Sequence, residues 1–227
     1  MNIFNTAKKF VEQHPKSKFF LSWLYNTFSS NQIKIRGKNN IIKKSGNFLK
    51  KCKIIVIGNN NTIDFGDTSY LLNTKITIKG NNNKVQIGSK VYINNGDIYL
   101  EDSENNLYIG DKTIVAGATH FALTEGKKIN IGKDCLFSNN IVLRTGDSHS
   151  ILNEKGERIN YGKNINLKDH IWITQNVTIL KGAEIAENSI IGTGSIVTKS
   201  FNEKNVLITG NPAKIVKENI NWCHKRI

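Results

Sequence analysis

A strict six-residue period near the carboxyl end of the chain limits its fold more than any other feature. Large aliphatic residues recur there without a slip, at Ile173, Ile179, Ile185, Ile191 and Val197. Small or β-branched residues lie four positions after the first four of them, at Val177, Ala183, Ser189 and Ser195. An α-helix needs a period of about 3.6 residues and a half-buried strand a period of about 2. A period of six therefore predicts short strands joined by tight corners, which is an all-β solenoid.

A longer period runs through the first half of the chain. Four glycines, Gly66, Gly88, Gly110 and Gly132, lie 22 residues apart, and the Asn runs at 59–61 and 81–83 follow the same spacing. Glycine and asparagine both tolerate the left-handed backbone that turns require. We interpret 22 residues as one coil of the solenoid. The asparagines are predicted to stack from coil to coil as a structural ladder.

Both ends of the solenoid carry appendages. Residues 1–31 hold two short amphipathic helical patterns separated by Pro15, which predicts a helical cap over the first coil. A foot on a membrane surface, with Phe20 and Trp23 at the interface, is the alternative. Residues 212–227 are predicted to form a tail or a short helix.

The solenoid itself is predicted over residues 32–211, with one interruption. Between residues 146 and 164 the repeat gives way to a polar, charged segment that a regular coil does not need. Loops that a rigid scaffold holds in place are where catalytic and binding residues concentrate. We therefore expect the functional site in this loop.

The composition of the chain indicates which kinds of molecule it can bind. The net charge of +14 predicts an acidic partner such as a polyanionic glycan, a phosphorylated cofactor or an anionic membrane. Compositional bias is the simpler alternative and stays open. Cys52, Cys135 and Cys223 lack the spacing of a zinc site or a disulfide framework. No apolar run is long enough to span a membrane, so we expect a cytoplasmic protein. Attachment to the inner face of the membrane is an open alternative. We expect no nucleic-acid partner.

Four phrases join the repeats to a known family. They are Thr145-Gly-Asp-Ser-His149, Arg158-Ile-Asn160, His170-Ile-Trp172-Ile and Gly210-Asn-Pro-Ala-Lys214. Together with the hexapeptides between residues 109 and 217, they resemble the hexapeptide-repeat acyltransferases, in the polysaccharide and sugar O-acetyltransferase branch. The resemblance implies a left-handed parallel β-helix, acetyl-CoA as co-substrate, a saccharide acceptor, a homotrimer and no metal.

Three residues are candidates for the chemistry. His149 lies in the loop, and histidine is the side chain that most readily takes a proton near neutral pH. The resemblance gives His149 the role of general base for the acceptor hydroxyl. Asp147 is predicted either to orient the imidazole or to shape the turn. Trp172 alternates with two aliphatic residues and should point outwards; the resemblance places it at the wall of the active site, with subunit packing as the alternative.

Cofactor and acceptor residues follow from the resemblance and from charge. The resemblance implies coenzyme A contacts at Gln175, Thr193, Thr198, Pro212, Lys214 and Lys217. The lysines would meet the adenosine phosphates, or else be solvated, and Pro212 would fix the bend before them. Arg144 and Arg158 flank the loop and are candidate acceptor contacts, since guanidinium groups suit carboxylates. His120 is expected where a coil gives way to a loop, where it could line the acceptor cleft. Arg158 could instead pair with Glu154 or Glu157.

Other functions remain open at this stage. N-acetylation of an amino sugar uses the same scaffold, although residues 1–31 are too few for a nucleotide-sugar domain. A non-catalytic solenoid that binds polyanions would need the charge but not the histidine loop. Motifs of dinucleotide-binding, P-loop, serine-hydrolase and zincin proteins are absent from the sequence.

Overall fold

The computed structural model describes residues 18–225, and the amino-terminal pattern before residue 18, with His14, lies outside the described residues. One helix, α1, covers Lys18–Phe28. The strands of the first coils are β1 (Gln32–Arg36), β2 (Ile41–Lys44), β3 (Phe48–Lys50), β4 (Lys53–Ile57), β5 (Thr62–Phe65), β6 (Tyr70–Leu72), β7 (Lys75–Lys79) and β8 (Lys84–Ile87). Those of the middle coils are β9 (Tyr92–Asn94), β10 (Gly96–Glu101), β11 (Asn106–Ile109), β12 (Ile114–Val115), β13 (Thr119–Leu123), β14 (Lys128–Ile131), β15 (Leu136–Phe137) and β16 (Ile141–Arg144). Those of the last coils are β17 (Ile165–Leu167), β18 (Trp172–Ile173), β19 (Thr178–Leu180), β20 (Glu184–Ile185), β21 (Ile190–Ile191), β22 (Ile196–Val197), β23 (Leu207–Gly210) and β24 (Ala213–Lys217).

The strands stack into three parallel sheets, because every third strand returns to the same face. The first sheet runs β1-β4-β7-β10-β13-β16-β19-β22, and the second runs β2-β5-β8-β11-β14-β17-β20. The third sheet runs from β3 to β24 in the order β3-β6-β9-β12-β15-β18-β21-β23-β24. The chain is therefore a left-handed parallel β-helix of about eight turns, as the sequence predicts.

The core is a set of aliphatic columns inside the three sheets. All five residues of the six-residue period are fully buried, as are the small residues at the corners between them. Trp172 pairs with Ile190 in the next coil, so the last coils contain 18 residues, or three hexapeptides. The earlier coils are longer, since Ile54 lies opposite Ile76 and Ile76 opposite Ile98.

The predicted asparagine ladder forms at one corner of the early coils. Asn61, Asn83 and Asn105 are buried and bonded in series: the Asn61 Oδ1 accepts the Asn83 amide at 2.9 Å, and the Asn83 Oδ1 accepts the Asn105 amide at 2.9 Å. Gly58, at the same corner, has φ of +128°, and a Cβ there would lie 1.9 Å from the Gly80 carbonyl oxygen. The ladder supplies hydrogen bonds that the backbone cannot make at the turn.

Helix α1 closes part of the first coil. Tyr25 packs edge-on against Phe48 at 5.5 Å between ring centroids, and the Asn26 side chain bonds the backbone of Asn47 and Leu49. The opposite side of the helix carries exposed Phe20 and Trp23. The helix is thus a cap on one side and an uncovered aromatic surface on the other.

The carboxyl end forms a strand before it becomes a tail. Beyond Gly210 the chain turns back at Pro212, and β24 pairs with β23 in the only antiparallel contact between the strands of residues 18–225. Residues 218–225 then run as a tail without helix. The prediction of a tail or a short helix over residues 212–227 therefore missed β24, and it describes only the segment that follows this strand.

Candidate active site

The loop of interest leaves the coil after Arg144 and rejoins it at Ile165. Its middle is a small ribbon: Leu152 bridges Arg158, and the Asn153 side chain accepts hydrogen bonds from the amides of Lys155 and Glu157, both at 2.9 Å. The register of the first sheet is unaffected, since Leu143 pairs directly with Ile179. The loop is therefore an insertion at the edge between the first and second sheets.

A cleft opens between this loop and the outer face of the first sheet. It brings together five of the residues predicted from sequence: His120, Arg144, Asp147, His149 and Arg158. The remaining polar and charged lining includes Tyr99, Glu101, Asp102, Thr124, Glu125, Ser148 and Ser150. No predicted coenzyme A residue lines the cleft within residues 18–225 of one chain.

The His149 side chain lies in the cleft and is not held by a hydrogen bond to the described residues. Its imidazole makes no hydrogen bond to any residue between 18 and 225, and the side chain is exposed. The backbone is held instead, because the His149 carbonyl accepts a hydrogen bond from the Asn160 Nδ2 at 2.8 Å. A base with a fixed backbone and free ring nitrogens can take a proton from an incoming hydroxyl.

Asn160 organises the loop, and sequence reasoning did not single it out. It is 8% exposed. Its Nδ2 donates to Asp147 at 2.7 Å as well as to His149, while its Oδ1 accepts from the Ile151 amide at 2.7 Å and the Arg158 Nε at 3.2 Å. One side chain thus ties both arms of the loop together. Its place in the phrase Arg158-Ile-Asn160 was the available signal.

Asp147 anchors the loop and does not contact the His149 imidazole, so the prediction that it orients the ring is wrong for this structure. Its carboxylate is bonded by the Lys181 Nζ and by Asn160. These two donors hold the pKa of Asp147 below its usual range. Lys181 also donates to the Asn160 carbonyl at 2.8 Å, which fastens the loop to the coil beneath it.

Arg158 pairs with Glu125, neither of the two glutamates proposed for it from sequence. Its guanidinium bonds the Glu125 carboxylate, whose other oxygen accepts the Gly162 amide at 3.0 Å. These donors lower the pKa of Glu125. Sequence reasoning could not find this contact, because 33 residues separate its partners.

Arg144 and His120 face the cleft from the sheet. The Arg144 guanidinium has one side-chain partner, the Ser148 hydroxyl at 3.1 Å, and is exposed. His120 was expected where a coil gives way to a loop, but it lies inside β13. Its Nδ1 is 3.0 Å from the Asp97 carboxylate. Among residues 18–225, no acidic side chain forms an ion pair with the Arg144 guanidinium.

Trp172 points outwards on the third sheet, as its alternation with buried Ile171 and Ile173 predicts. Its Nε1 donates to the Ser138 hydroxyl at 3.4 Å. It does not line the cleft around His149. Its catalytic role remains a prediction that one chain does not test.

The predicted coenzyme A residues lie in the last coils. Gln175 and Thr193 share the edge between the third and first sheets, where the Gly194 amide bonds the Gln175 carbonyl at 3.0 Å. Pro212 stands in the turn between β23 and β24, and Lys214 pairs with Thr209 just after it. Lys217 is exposed at the other end of β24, and Thr198 is exposed after β22. Gln175 and Thr193 therefore share one edge, whereas Thr198 and Lys217 lie apart from it.

Two features of the side chains of residues 18–225 concern metal ligation and the thiol of Cys135. No group of three His, Cys, Asp or Glu is placed there to hold a metal ion. Burial raises the pKa of Cys135 to about 12, so its thiol stays protonated. No helix in the same range is long and apolar enough to cross a membrane.

The fold and the cleft correspond to a known class of protein. The chain belongs to the hexapeptide-repeat left-handed β-helix acetyltransferases, in the sugar O-acetyltransferase branch. No protein-family model matches it.

Two solved structures carry this assignment. The polySia specific acetyltransferase NeuO is 32% identical, with a TM-score of 0.82, over 86% of this chain and 90% of that one. The polysialic acid O-acetyltransferase OatWY is 38% identical, with a TM-score of 0.81, over 86% and 93%.

Two curated relatives match over shorter segments. The polysialic acid O-acetyltransferase of Neisseria meningitidis is 41% identical over 110 residues, which are 48% of this chain and 51% of that protein. The polysialic acid O-acetyltransferase of Escherichia coli O1:K1 / APEC is 35% identical over 108 residues, which are 47% of this chain and 35% of that protein. The match thus spans about half or less of these relatives.

Proposed function

We propose that the protein is an acetyl-CoA-dependent O-acetyltransferase that acts on a saccharide hydroxyl. The observation that carries the proposal is the free imidazole of His149 in a cleft of the first sheet, on a scaffold whose relatives are acetyltransferases. No nucleophilic side chain is needed. The reaction is direct transfer between two bound substrates.

The proposed chemistry uses one proton carrier. The His149 imidazole takes the proton of the acceptor hydroxyl as its oxygen attacks the thioester carbonyl, which contributes about 10²–10⁴-fold in rate. The oxyanion of the tetrahedral intermediate is stabilised by a backbone N–H. When the C–S bond breaks, the coenzyme A sulfur receives the proton from the imidazolium, and the acetyl ester remains on the saccharide.

The acceptor we propose is an acidic polysaccharide. The two solved structures and the two curated relatives described above are named for polysialic acid, whose sugars carry carboxylates. Arg144 offers an exposed guanidinium beside the loop of His149. Such a fork suits a carboxylate. Arg158 supports the loop, because Glu125 already occupies its guanidinium.

We also propose that the active protein is a homotrimer whose sites lie between subunits. Trp172 and the cleft are on different sheets of one chain, so they can act together only across an interface. The loop also exposes four large apolar side chains, Ile151, Leu152, Ile159 and Tyr161. Such a surface favours burial against a neighbour.

We further propose that the amino-terminal end of the described chain attaches the protein to the inner face of a membrane. Helix α1 exposes Phe19 by 58%, Phe20 by 63% and Trp23 by 62%. Between residues 18 and 63 the sequence has no Asp or Glu and nine cations: Lys18, Lys34, Arg36, Lys38, Lys43, Lys44, Lys50, Lys51 and Lys53. Aromatic side chains amid cations favour an anionic lipid surface.

One variant tests the reaction. His149→Ala should lower thiol release from acetyl-CoA by at least a hundredfold with a polysialic acid acceptor, while calorimetry shows unchanged coenzyme A binding. A residual rate above about a tenth would exclude the general base. Thiol release with amino sugars alone would favour N-acetylation, and polymer binding without any thiol release would favour a non-catalytic solenoid.

Mixed oligomers test the shared site. His149→Ala and Trp172→Ala subunits, each inactive alone, should regain activity when they are co-expressed, because some interfaces then receive both native residues. Light scattering should show three chains. An active monomer at micromolar concentration would exclude the trimer.

A further inference from the structure

The carboxyl-terminal tail is bound to the solenoid through Trp222. The residue is 9% exposed, and its indole lies flat on the His170 ring, with 4.2 Å between ring centroids and 8° between planes. The indole Nε1 donates to the His170 carbonyl at 2.9 Å. Ahead of it, the Ile220 amide donates to the Asn205 carbonyl at 2.9 Å. The tail therefore occupies a defined place on the edge between the second and third sheets.

The hydrogen bonds of His170 require two ring protons. Its Nδ1 is 2.9 Å from the Asp134 Oδ2, and its Nε2 is 3.1 Å from the Trp222 carbonyl oxygen. A carboxylate and a carbonyl only accept hydrogen bonds, whereas a neutral imidazole has one N–H to donate. Both contacts are made at once only by the imidazolium. The docked tail is thus matched to a protonated His170.

Other titratable and charged residues border this contact. Asp134 also meets His224 of the tail, whose Nε2 lies 3.3 Å from the Oδ1. Asp169 precedes His170, and its Oδ1 accepts the Lys133 amide at 2.8 Å. The Lys133 carbonyl accepts the His170 amide at 2.8 Å. The carboxylate of Asp134 therefore lies between two imidazoles, with Asp169 and Lys133 beside them.

Trp222 also covers Trp172. The two indoles lie 6.0 Å apart between centroids, at 41°. The other polar contact of the Trp172 indole, to the Ser138 hydroxyl, is long at 3.4 Å. Packing from Trp222 therefore contributes much of what fixes the orientation of the Trp172 ring.

We propose that Trp222 is a positioning residue for Trp172 and that protonated His170 fastens it. The functional part rests on the proposed function, in which Trp172 of one subunit acts together with the cleft of its neighbour. Docking of the tail takes up a proton, so a rise in pH removes one of the two His170 contacts and favours release of Trp222. Release leaves Trp172 uncovered and the acetyl donor less well placed.

Fluorescence tests the tail without any activity. The chain has three tryptophans, so the double variant Trp23→Phe, Trp172→Phe leaves Trp222 alone. Its acrylamide quenching constant should rise at least twofold between pH 6 and pH 8.5. His170→Asn in the same background should remove this pH dependence. A constant that does not change with pH overturns the fastening by a proton.

Kinetics tests the positioning role. Trp222→Ala should lower kcat/KM for acetyl-CoA at least tenfold and leave KM for the saccharide within twofold, while Trp222→Phe keeps most of the activity. Trp23→Ala, which removes an exposed indole far from the site, is the matched control. A folded Trp222→Ala protein that is within twofold of wild type overturns the role.

A second optical measurement separates this proposal from the enzymatic one. In a protein that carries Trp23→Phe, replacement of Trp222 leaves Trp172 as the only tryptophan. Its emission should shift to longer wavelength with Trp222→Ala and not with Trp222→Phe. If the wild type releases no thiol with any acceptor, the proposed function fails, and this shift alone supports or overturns the positioning by Trp222.

Discussion

The Asn160 side chain donates a hydrogen bond to the carbonyl of His149 at 2.8 Å and so fixes the backbone of the residue proposed as the base. The two residues lie on opposite arms of the loop. The same Nδ2 holds Asp147, and the Oδ1 holds Ile151 and Arg158. The position of the imidazole therefore depends on an amide that does not touch the acceptor.

Replacement of Asn160 should affect catalysis more than folding. Asn160→Ala removes the hydrogen bonds of a buried side chain to both arms of the loop, which costs about 1–3 kcal/mol locally. We expect kcat to fall at least tenfold while coenzyme A binding is unchanged. Asn153→Ala, at the exposed tip of the same loop, is the control and should retain most activity. Equal losses for the two variants would mean that general loop order, and not Asn160, positions His149.

Asp147 should make stability depend on pH in acid. Its pKa is lowered by Lys181 and Asn160, so its contribution is present above the ordinary aspartate pKa of about 3.9 and is lost as pH falls through the lower folded value. The pair is partly exposed, which limits its effect on Tm to about 4 °C. Asp147→Asn should therefore melt earlier at pH 7 and converge with wild type in strong acid. A constant difference across the pH range would contradict this origin.

Lys214 and Lys217 should bind phosphate. The double change to Ala should weaken coenzyme A by roughly 1.5–3 kcal/mol, since the lost contacts are charge-assisted, and should spare a pantetheine thioester without the nucleotide. Isothermal titration of both donors measures the difference. Lys84→Ala, on the exposed face of β8, controls for net charge. Similar losses for both donors would place the lysines away from the phosphates.

Arg144 should set the preference for an acidic acceptor. Arg144→Ala should raise KM for polysialic acid about tenfold or more, because a charge-assisted contact is lost, and should leave a neutral saccharide unaffected. Salt should raise KM as well, since exposed charges are screened beyond about 8 Å at physiological ionic strength. If a neutral glycan is acetylated as efficiently, and without dependence on salt, the charge of +14 reflects composition alone.

The aromatic side of α1 should bind anionic vesicles. Sedimentation with phosphatidylserine vesicles should recover the protein, and vesicles of phosphatidylcholine alone should not. Phe20→Ser with Trp23→Ser should abolish binding, whereas Tyr99→Ser, half-buried beside the cleft and away from α1, should not. Binding that persists without these aromatics would show that the cations act alone, as on an anionic glycan. Wild-type protein that stays in the supernatant with both vesicles would exclude attachment.

The sequence predicts the solenoid because the six-residue spacing of its aliphatic residues follows directly from the geometry of a coil. Each coil repeats the same three faces, so Ile173, Ile179 and Ile185 had to point inwards together. The cleft was predictable only in part. His149 stood out because it lies where the repeat stops, but the partners of Arg158 and Asp147 come from other coils, at Glu125 and Lys181. Contacts between coils depend on the stacking register, which the spacing of one segment does not contain.

The position of the carboxyl-terminal tail could not be predicted from the sequence either. His170 and Trp222 are 52 residues apart, and the sequence pattern around Trp222 has no period. His170 lies at a corner of the coil, with φ of +57°. Its contact with the carbonyl oxygen of Trp222 could not be read from the pattern, because it needs the exact position of that carbonyl group.

The insertion at the edge between the first and second sheets has a consequence for exchange of the loop. Leu143 and Ile179 remain in register although the loop of His149 lies between them. The aliphatic columns therefore keep their register whatever the length of the loop, and a change in the loop need not shift the coils. Exchange of this one segment would alter the cleft on the acceptor side and leave the residues proposed for coenzyme A, in the last coils, where they are.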